Sequence, residues 1–226
     1  MTQSLFAPPP PPRPAGLPGC DLSSIQNPAH CDYAAMSVRW AMVRVTEGDT
    51  PDHAAPLHRA GLQATGAAVG SYAFGRPRHE ALAMADLALR QLDGAHWEIN
   101  LGLDLESEDE EDYLEPAALE AWCVAFLERV EAVTGRRPLV YTGPGWVAKC
   151  LPARHSLGKY PLWCADYNRR MTLPHGWTSA VGWQFSGNAS IPGYPGPADA
   201  SVLLVPLDDM LIRGTQCSVD MDGSSA

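Results

Sequence analysis

Two carboxylates stand two residues apart at the end of a short apolar segment: Asp104 and Glu106, in the stretch Leu-Gly-Leu-Asp-Leu-Glu. If this segment is a β-strand, residues two apart face the same side and lie about 7 Å apart along the chain. Both acids can then act on one point of a bound molecule, as acid-assisted cleavage of a glycosidic bond requires. The competing interpretation is a strand that runs into a solvated acidic turn.

The net charge of −10 comes from one part of the chain. Eight of the 26 acids lie between Asp104 and Glu115, and without them 18 acids face 16 bases. A nucleic-acid-binding protein needs a basic face, so this class is excluded, and adhesion to anionic membranes by bulk charge is disfavoured. We interpret the acidic run as a solvated loop whose acids favour the N-terminus of the next helix.

No metal or organic cofactor is expected. The six cysteines show no C-x-x-C spacing, no two histidines have zinc-ligand spacing, and the acidic run lacks the calcium-loop pattern. In a chain without an export signal, reduced thiols are the prediction, and Cys20 with Cys31 is the first pair to test for a disulfide.

Three segments are predicted: a proline-rich extended arm (1–17), a catalytic domain (18–206) and a polar tail (207–226). The arm is either a spacer or a docking segment for a partner that reads polyproline. The N-terminus lacks a basic start and an apolar segment, so we expect synthesis in the cytoplasm without a signal peptide. No run of about 18 apolar residues exists, so no membrane anchoring is expected.

Short apolar strands alternate with helices or loops across the central domain. A regular barrel with eight strands and eight helices needs about 250 residues. The prediction is therefore an α/β fold, a single irregular, shortened TIM-like β/α barrel with fewer than eight full helices. The predicted strands are 19–22, 40–46, 67–74, 100–106, 138–142, 161–165, 180–185 and 198–203, and the predicted helices are 51–65, 78–92 and 116–134.

In such a barrel the active site lies at the carboxyl ends of the strands. Nearly every predicted strand places an acid, an amide or an aromatic ring there. The residues are Asp21, Glu47, Tyr72, Phe74, Asp104, Glu106, Tyr141, Asp166, Tyr167, Gln184 and Asp199. Chance placement of solvated loops does not account for this convergence.

Seven segments, in order from about residue 18 to 205, carry a family pattern. They are G-x-D-x-S-x-x-Q (19–26), T-E-G (46–48), G-x-Y-x-F-x-R-P (70–77), D-x-E (104–106), Y-T (141–142), L-W-x-A (162–165) and W-Q (183–184). Together they resemble glycoside hydrolase family 25, the N-acetylmuramidase type of lysozyme found in bacteria and phages.

The resemblance implies cleavage of the β-1,4 bond between N-acetylmuramic acid and N-acetylglucosamine in peptidoglycan. It makes Glu106 the general acid, and Asp104 the group that stabilises an oxazolinium or an oxocarbenium-like centre. Asp21 and Asp199 complete a ring of four carboxylates, with Asp208 and Asp209 as substitutes for Asp199. The predicted substrate-binding residues are Glu47, Tyr72, Phe74, Tyr141, Trp163, Tyr167 and Gln184. Because like charges crowd together, one carboxyl should keep its proton, and we assign this role to Glu106.

The sequence departs from the family pattern at three places. Ala73 stands where a histidine is common, Asp166 adds an acid to the rim, and an acidic insertion follows Glu106. Two other functions stay open: a chitin-type glycosidase assisted by the acetamido group, and a barrel that binds glycans without cleaving them. Delivery to the wall would follow either the phage endolysin route or carriage in a particle.

Overall fold

The computed structural model describes residues 14–211, so most of the predicted arm and tail lies outside the described residues. The described part contains nine strands and five α-helices. The strands are β1 (Leu17–Leu22), β2 (Trp40–Glu47), β3 (Thr50–Pro51), β4 (Ala68–Phe74), β5 (Ile99–Leu105), β6 (Leu139–Thr142), β7 (Leu162–Ala165), β8 (Gly182–Ser190) and β9 (Pro197–Leu203). The helices are α1 (Tyr33–Met36), α2 (Ala55–Gln63), α3 (Ala81–Leu92), α4 (Pro116–Thr134) and α5 (Pro144–Cys150).

Eight of the strands close into a barrel. The hydrogen-bonded order is β1-β9-β8-β7-β6-β5-β4-β2, and β1 also pairs with β2, which joins the two ends of the sheet. The two-residue β3 attaches to β2 outside the ring. All eight predicted strands are present, and the prediction of an irregular, shortened β/α barrel is confirmed.

The last strand runs against the others. β9 is antiparallel to both of its neighbours, β1 and β8, whereas the other barrel pairings are parallel. Only residues 191–196 separate β8 from β9, which is too short for a crossover helix, so the two strands form a hairpin. As a result, the beginning of β9 lies at the same mouth as the carboxyl ends of the other seven strands.

Large side chains fill the lower barrel, and glycines make room for them. Trp40, Met42 and Trp163 pack inside it and are almost fully buried. A Cβ at Gly19 would lie 2.2 Å from the Trp40 ring, so only glycine fits at that position. This packing closes the barrel beneath the mouth.

The helices cover the outside of the barrel. The apolar stripe of α4 is buried, mainly where the helix packs beside α3, and Gly135 ends the helix with φ +68°, a conformation that glycine adopts without strain. None of the helices within residues 14–211 is long and apolar enough to cross a membrane.

The chain beyond β9 returns to the base of the barrel. Leu207, Met210 and Leu211 pack against the lower interior, and Leu211 bridges to Ile99. Asp208 and Asp209, the substitutes considered for Asp199, therefore lie at the end opposite the mouth. The five cysteines of the described residues, Cys20, Cys31, Cys123, Cys150 and Cys164, are all free.

Candidate active site

Four carboxylates line a single cavity at the mouth of the barrel. Asp21 on β1, Asp104 on β5, Glu106 directly after β5, and Asp199 on β9 all contribute to its wall. Asp21 and Asp199 are paired in the β1–β9 register, which brings together residues from the two ends of the barrel sequence. The structure thus places the four predicted acids in one pocket.

The structure also separates the predicted substrate-binding residues into two groups. Six of the seven line the cavity: Tyr72, Phe74, Tyr141, Trp163, Tyr167 and Gln184. Glu47 is not among the lining residues, because its carboxylate is held by two arginines, 2.8 Å from Arg44 Nη1 and 2.5 Å from Arg76 Nη2.

Four lining residues were not predicted as site residues: Ser23, Ile25, Gln26 and Arg44. Ser23 and Gln26 belong to the first family segment, and that segment was the available signal for them. The signal for Arg44 was strand alternation, because Trp40 and Met42 face the interior and the next residue on that face is an arginine.

A chain of hydrogen bonds orders the mouth. The Tyr141 hydroxyl lies 3.2 Å from Glu106 Oε2 and 2.9 Å from Gln184 Oε1. Tyr167 donates its hydroxyl to the same Gln184 oxygen at 2.7 Å, and Gln184 Nε2 donates to Asp21 Oδ2 at 3.0 Å. The amide of Gln184 therefore connects the two tyrosines to the acid on the first strand.

Asp104 is the most buried of the four acids, and one of its two carboxyl oxygens has no hydrogen-bond partner. Asp104 is only 4% exposed, and its buried Oδ1 accepts no hydrogen bond from any described residue. A buried polar atom without a partner costs about 1–3 kcal/mol. Such an atom at the wall of a cavity marks a position where a bound molecule can supply the donor.

The pKa values of the two deep acids are raised well above their usual range. For Asp21 the causes are burial and then the charge of Asp199, and for Asp104 they are burial, then the charges of Glu106 and Asp21. Arg44 partly opposes the effect at Asp104 by attracting its charged form.

The pKa values of the two remaining acids are raised as well. Burial raises the pKa of Glu106, while the hydrogen bond from Tyr141 opposes this and the charge of Asp199 adds to it. Burial also raises the pKa of Asp199, against the effect of a hydrogen bond with Asp21. We predicted a raised pKa at Glu106 alone, but the pKa values of all four are raised, because each carboxyl is at least partly removed from water.

One expectation about the rim was wrong, and another holds for a single residue. Asp166 does not line the cavity, because it is buried and its side chain accepts hydrogen bonds within its own loop from Asn168 and Thr172. Of the acids after Glu106, Glu115 lies at the N-terminus of α4 as its N-cap residue, although its side chain makes no capping hydrogen bond, and the first turn contains no acid. Several pair with arginines of the loop after β4 instead, through Asp109, Glu111 and Asp112.

No group of three or more histidine, cysteine, aspartate or glutamate residues within 14–211 is arranged to hold a metal ion. The cavity instead combines carboxylates of raised pKa with tyrosine hydroxyls and one amide. Such a set of groups can donate a proton, stabilise a nearby positive charge and orient a polar substrate.

Comparison with known proteins agrees with this arrangement. The model of the family described as glycosyl hydrolases family 25 matches residues 20–194. An N,O-diacetylmuramidase from a Chalaropsis species is 32% identical over 185 residues, which are 74% of this chain and 87% of the relative. An N,O-diacetylmuramidase from Arthroderma benhamiae is 30% identical over 204 residues, 79% of this chain and 83% of the relative.

A solved structure shares the fold. The bacterial lysozyme from Streptomyces coelicolor superimposes with a TM-score of 0.79 at 23% identity, over 87% of this chain and 95% of that chain. The matched region of the family model includes three of the four acids of the mouth and all or part of every barrel strand except β9. The chain therefore belongs to glycosyl hydrolase family 25.

Proposed function

We propose that this protein is a lysozyme that cleaves the β-1,4 bond between N-acetylmuramic acid and N-acetylglucosamine in peptidoglycan, and so acts on the bacterial cell wall. The observation that carries the proposal is the convergence of Asp21, Asp104, Glu106 and Asp199 on one open cavity. The family membership and the muramidase relatives support the same reaction.

Glu106 is the group that protonates the leaving oxygen. It is the exposed member of the four acids, so its carboxyl can reach a bound glycosidic oxygen. The protein groups around its carboxyl still remove part of its water, which raises the pKa and keeps the proton available at higher pH than for an ordinary glutamate. Tyr141 holds the carboxyl in one orientation. Donation of the proton lets the bond to the leaving sugar break without an alkoxide forming.

Asp104 stabilises the positive charge that develops as this bond breaks. Its oxygen without a partner, deep in the cavity, is suited to the N–H of an acetamido group or to an oxocarbenium-like carbon. Asp104 and Glu106 lie at the same strand end, so Asp104 can stabilise the charged centre while Glu106 protonates the neighbouring leaving oxygen. Either a substrate-assisted oxazolinium or an oxocarbenium-like centre fits this arrangement.

The other lining groups position the sugar. Asp21 and Asp199 hydrogen-bond to each other when one is protonated, which reduces the repulsion that Asp104 experiences. Among the aromatic residues, Tyr167 is 58% exposed and can stack on a sugar ring, whereas Tyr72 and Tyr141 are buried in the cavity wall.

The experiment is digestion of purified peptidoglycan followed by borohydride reduction and identification of the reduced end sugar. A muramidase produces muramitol, and the Glu106→Gln protein, digested in parallel, should produce none. Glucosaminitol as the reduced sugar would contradict the proposed bond. Binding of wall fragments without any new reducing ends would contradict catalysis altogether.

A further inference from the structure

We infer that Arg76, Asp112 and Trp146 are positioning residues that hold Glu106 in place by clamping Ser107, the residue that follows it. The inference rests on the proposed function, because it concerns the general acid of that reaction. Glu106 lies one residue beyond the end of β5, so the strand ladder does not fix it. Its orientation must come from the residues on either side.

The residue after Glu106 is held at both its backbone and its side chain. The Ser107 carbonyl accepts a hydrogen bond from Trp146 Nε1 at 3.0 Å. The Ser107 hydroxyl donates to Asp112 Oδ2 at 2.5 Å and also lies 3.2 Å from Arg76 Nη1. Three contacts from three different parts of the chain therefore converge on this one residue.

The residue before Glu106 is held as well. The Leu105 carbonyl accepts a hydrogen bond from Thr142 Oγ1 at 2.8 Å, and both residues are buried in the barrel wall. The peptide segment that carries the Glu106 side chain is thus fixed at both ends. The carboxyl can then face Tyr141 across the mouth instead of turning into solvent.

Charge makes this clamp specific. The Asp112 side chain is almost fully buried, and its carboxylate lies 3.1 Å from Arg76 Nη1 and accepts from the Arg78 backbone N–H at 3.3 Å. Burial alone would raise the pKa of Asp112, but Ser107, Arg76 and Arg78 outweigh it and lower the pKa. Asp112 therefore stays anionic, as a group that accepts from Ser107 and Arg76 must be.

Glu47 is connected to this clamp through Arg76. Its carboxylate joins Arg76 to Arg44, and Arg44 in turn contacts the buried Asp52 at 2.9 Å. The alternating charges run from β2, past the wall of the cavity, to the loop that follows Glu106. Glu47 then acts on the site through the two arginines and not by touching the substrate.

The test uses two variants that weaken the clamp in different ways: Ser107→Ala, which removes one hydroxyl, and Asp112→Asn, which removes one buried charge. Misplacement of a catalytic group by about 1 Å can cost about a hundredfold in rate, so we expect each variant to lower kcat by about tenfold or more. Because substrate contacts are untouched, KM should change by less than about twofold. Peptidoglycan cleavage is measured well below the thermal midpoint of every variant.

Two matched controls accompany them. Ser107→Thr keeps the hydroxyl and should retain most of kcat. Glu111→Gln removes one charge from the same acidic turn but contacts only Arg78, so its kcat should equal that of the wild type. The pH profile gives a further readout: once released, the Glu106 carboxyl is more hydrated, its pKa falls, and the alkaline limb of kcat/KM moves to lower pH.

This limb depends on every titratable group that faces Glu106: Asp104 from its own strand, Asp21, Asp199, Tyr141 and Tyr167. None of these residues is changed in the variants. Wild-type kcat and an unmoved limb in Ser107→Ala, with Glu106→Gln inactive, would overturn the clamp and leave the proposed function standing. A rise in KM alone would overturn it too. Full activity of Glu106→Gln would instead refute the proposed function.

Discussion

Two acid-rich regions lie side by side in this protein and behave in opposite ways. At the mouth, Asp104 is 4% exposed and its pKa is raised well above the usual range. In the loop after Glu106, Asp112 is 5% exposed and its pKa is lowered. Solvent exposure is nearly equal and burial raises the pKa of both carboxyls, so exposure alone does not decide the direction.

The neighbours decide it. Burial destabilises the charged form of Asp104, and the charges of Glu106, Asp21 and Asp199 add to this effect, whereas Arg44 opposes it only in part. Asp112 faces Arg76 and Arg78 and accepts hydrogen bonds, so its charged form is favoured. The mouth is built to hold protons and bind a cationic centre, whereas the loop is built to hold its own shape.

The largest effect is expected from Glu106→Gln. The amide has nearly the shape of the acid but cannot donate the proton, so peptidoglycan cleavage should fall by about a thousandfold. The rate of reducing-end release measures the loss, and an unchanged thermal midpoint shows that the fold is intact. A rate near that of the wild type would assign the proton to another group.

Asp104→Asn should follow, with a loss of about a hundredfold in kcat. The amide keeps the volume of the side chain but cannot ionise when positive charge develops beside it, so the cationic centre loses its counter-charge. The same assay measures it, and Asp166→Asn is the control, because Asp166 is equally buried but lies outside the cavity. An equal loss of kcat in the control would show that any buried aspartate matters, which would contradict the special role of the mouth.

An Asp→Asn substitution should change the free energy of unfolding in opposite directions in the two regions. The raised pKa of Asp104 contributes stability below the unfolded pKa of about 3.9, and this contribution is lost as pH rises through the folded pKa. Asp104→Asn should therefore be more stable than the wild type at pH 7, and the difference should shrink toward pH 4. Urea unfolding at a series of pH values measures it.

Asp112→Asn should show the reverse. The lowered pKa contributes stability above about pH 3.9, and this contribution is lost as pH falls through the folded pKa. Breaking this buried ion pair should cost about 3 kcal/mol of unfolding free energy at pH 7 and less in acid. If both variants changed stability in the same direction at pH 7, the contrast between the two regions would be wrong.

The smallest effect is expected from Tyr141→Phe. Its hydroxyl stabilises the Glu106 carboxylate, so removing it should raise the pKa of Glu106 further and move the alkaline limb of kcat/KM slightly to higher pH. A pH–rate profile of wild type and variant measures the shift. Movement to lower pH would mean that Tyr141 mainly excludes water from Glu106.

Much of the fold could be predicted because strands and turns are local. Alternation and apolar runs gave all eight barrel strands, and the stripe on α4 with its terminal glycine gave the whole of that helix. The short helices α1 and α5 were missed, because segments of four and seven residues carry too little periodicity. The antiparallel direction of β9 was also not predicted, although the link between β8 and β9 is too short for the helix that a parallel connection needs.

The site could be predicted only in part. The order of acids along the chain, with the family pattern, indicated Asp21, Asp104, Glu106 and Asp199, because the ends of barrel strands meet at one mouth. The roles of Glu47 and Asp166 could not be predicted. A charged residue at a strand end can face the cavity, an arginine or its own loop, and the choice depends on partners that are distant in the sequence.

By itself, the sequence determined which residues are strands, which acids sit at strand ends and which family the chain belongs to, since these follow from local pattern and from motif order. The tertiary structure alone decided which acids hold protons and which stay charged. That outcome depends on distances between groups up to about 180 residues apart, such as Asp21 and Asp199. Electrostatic energy depends on separation in space, and the sequence encodes that separation only through the completed fold.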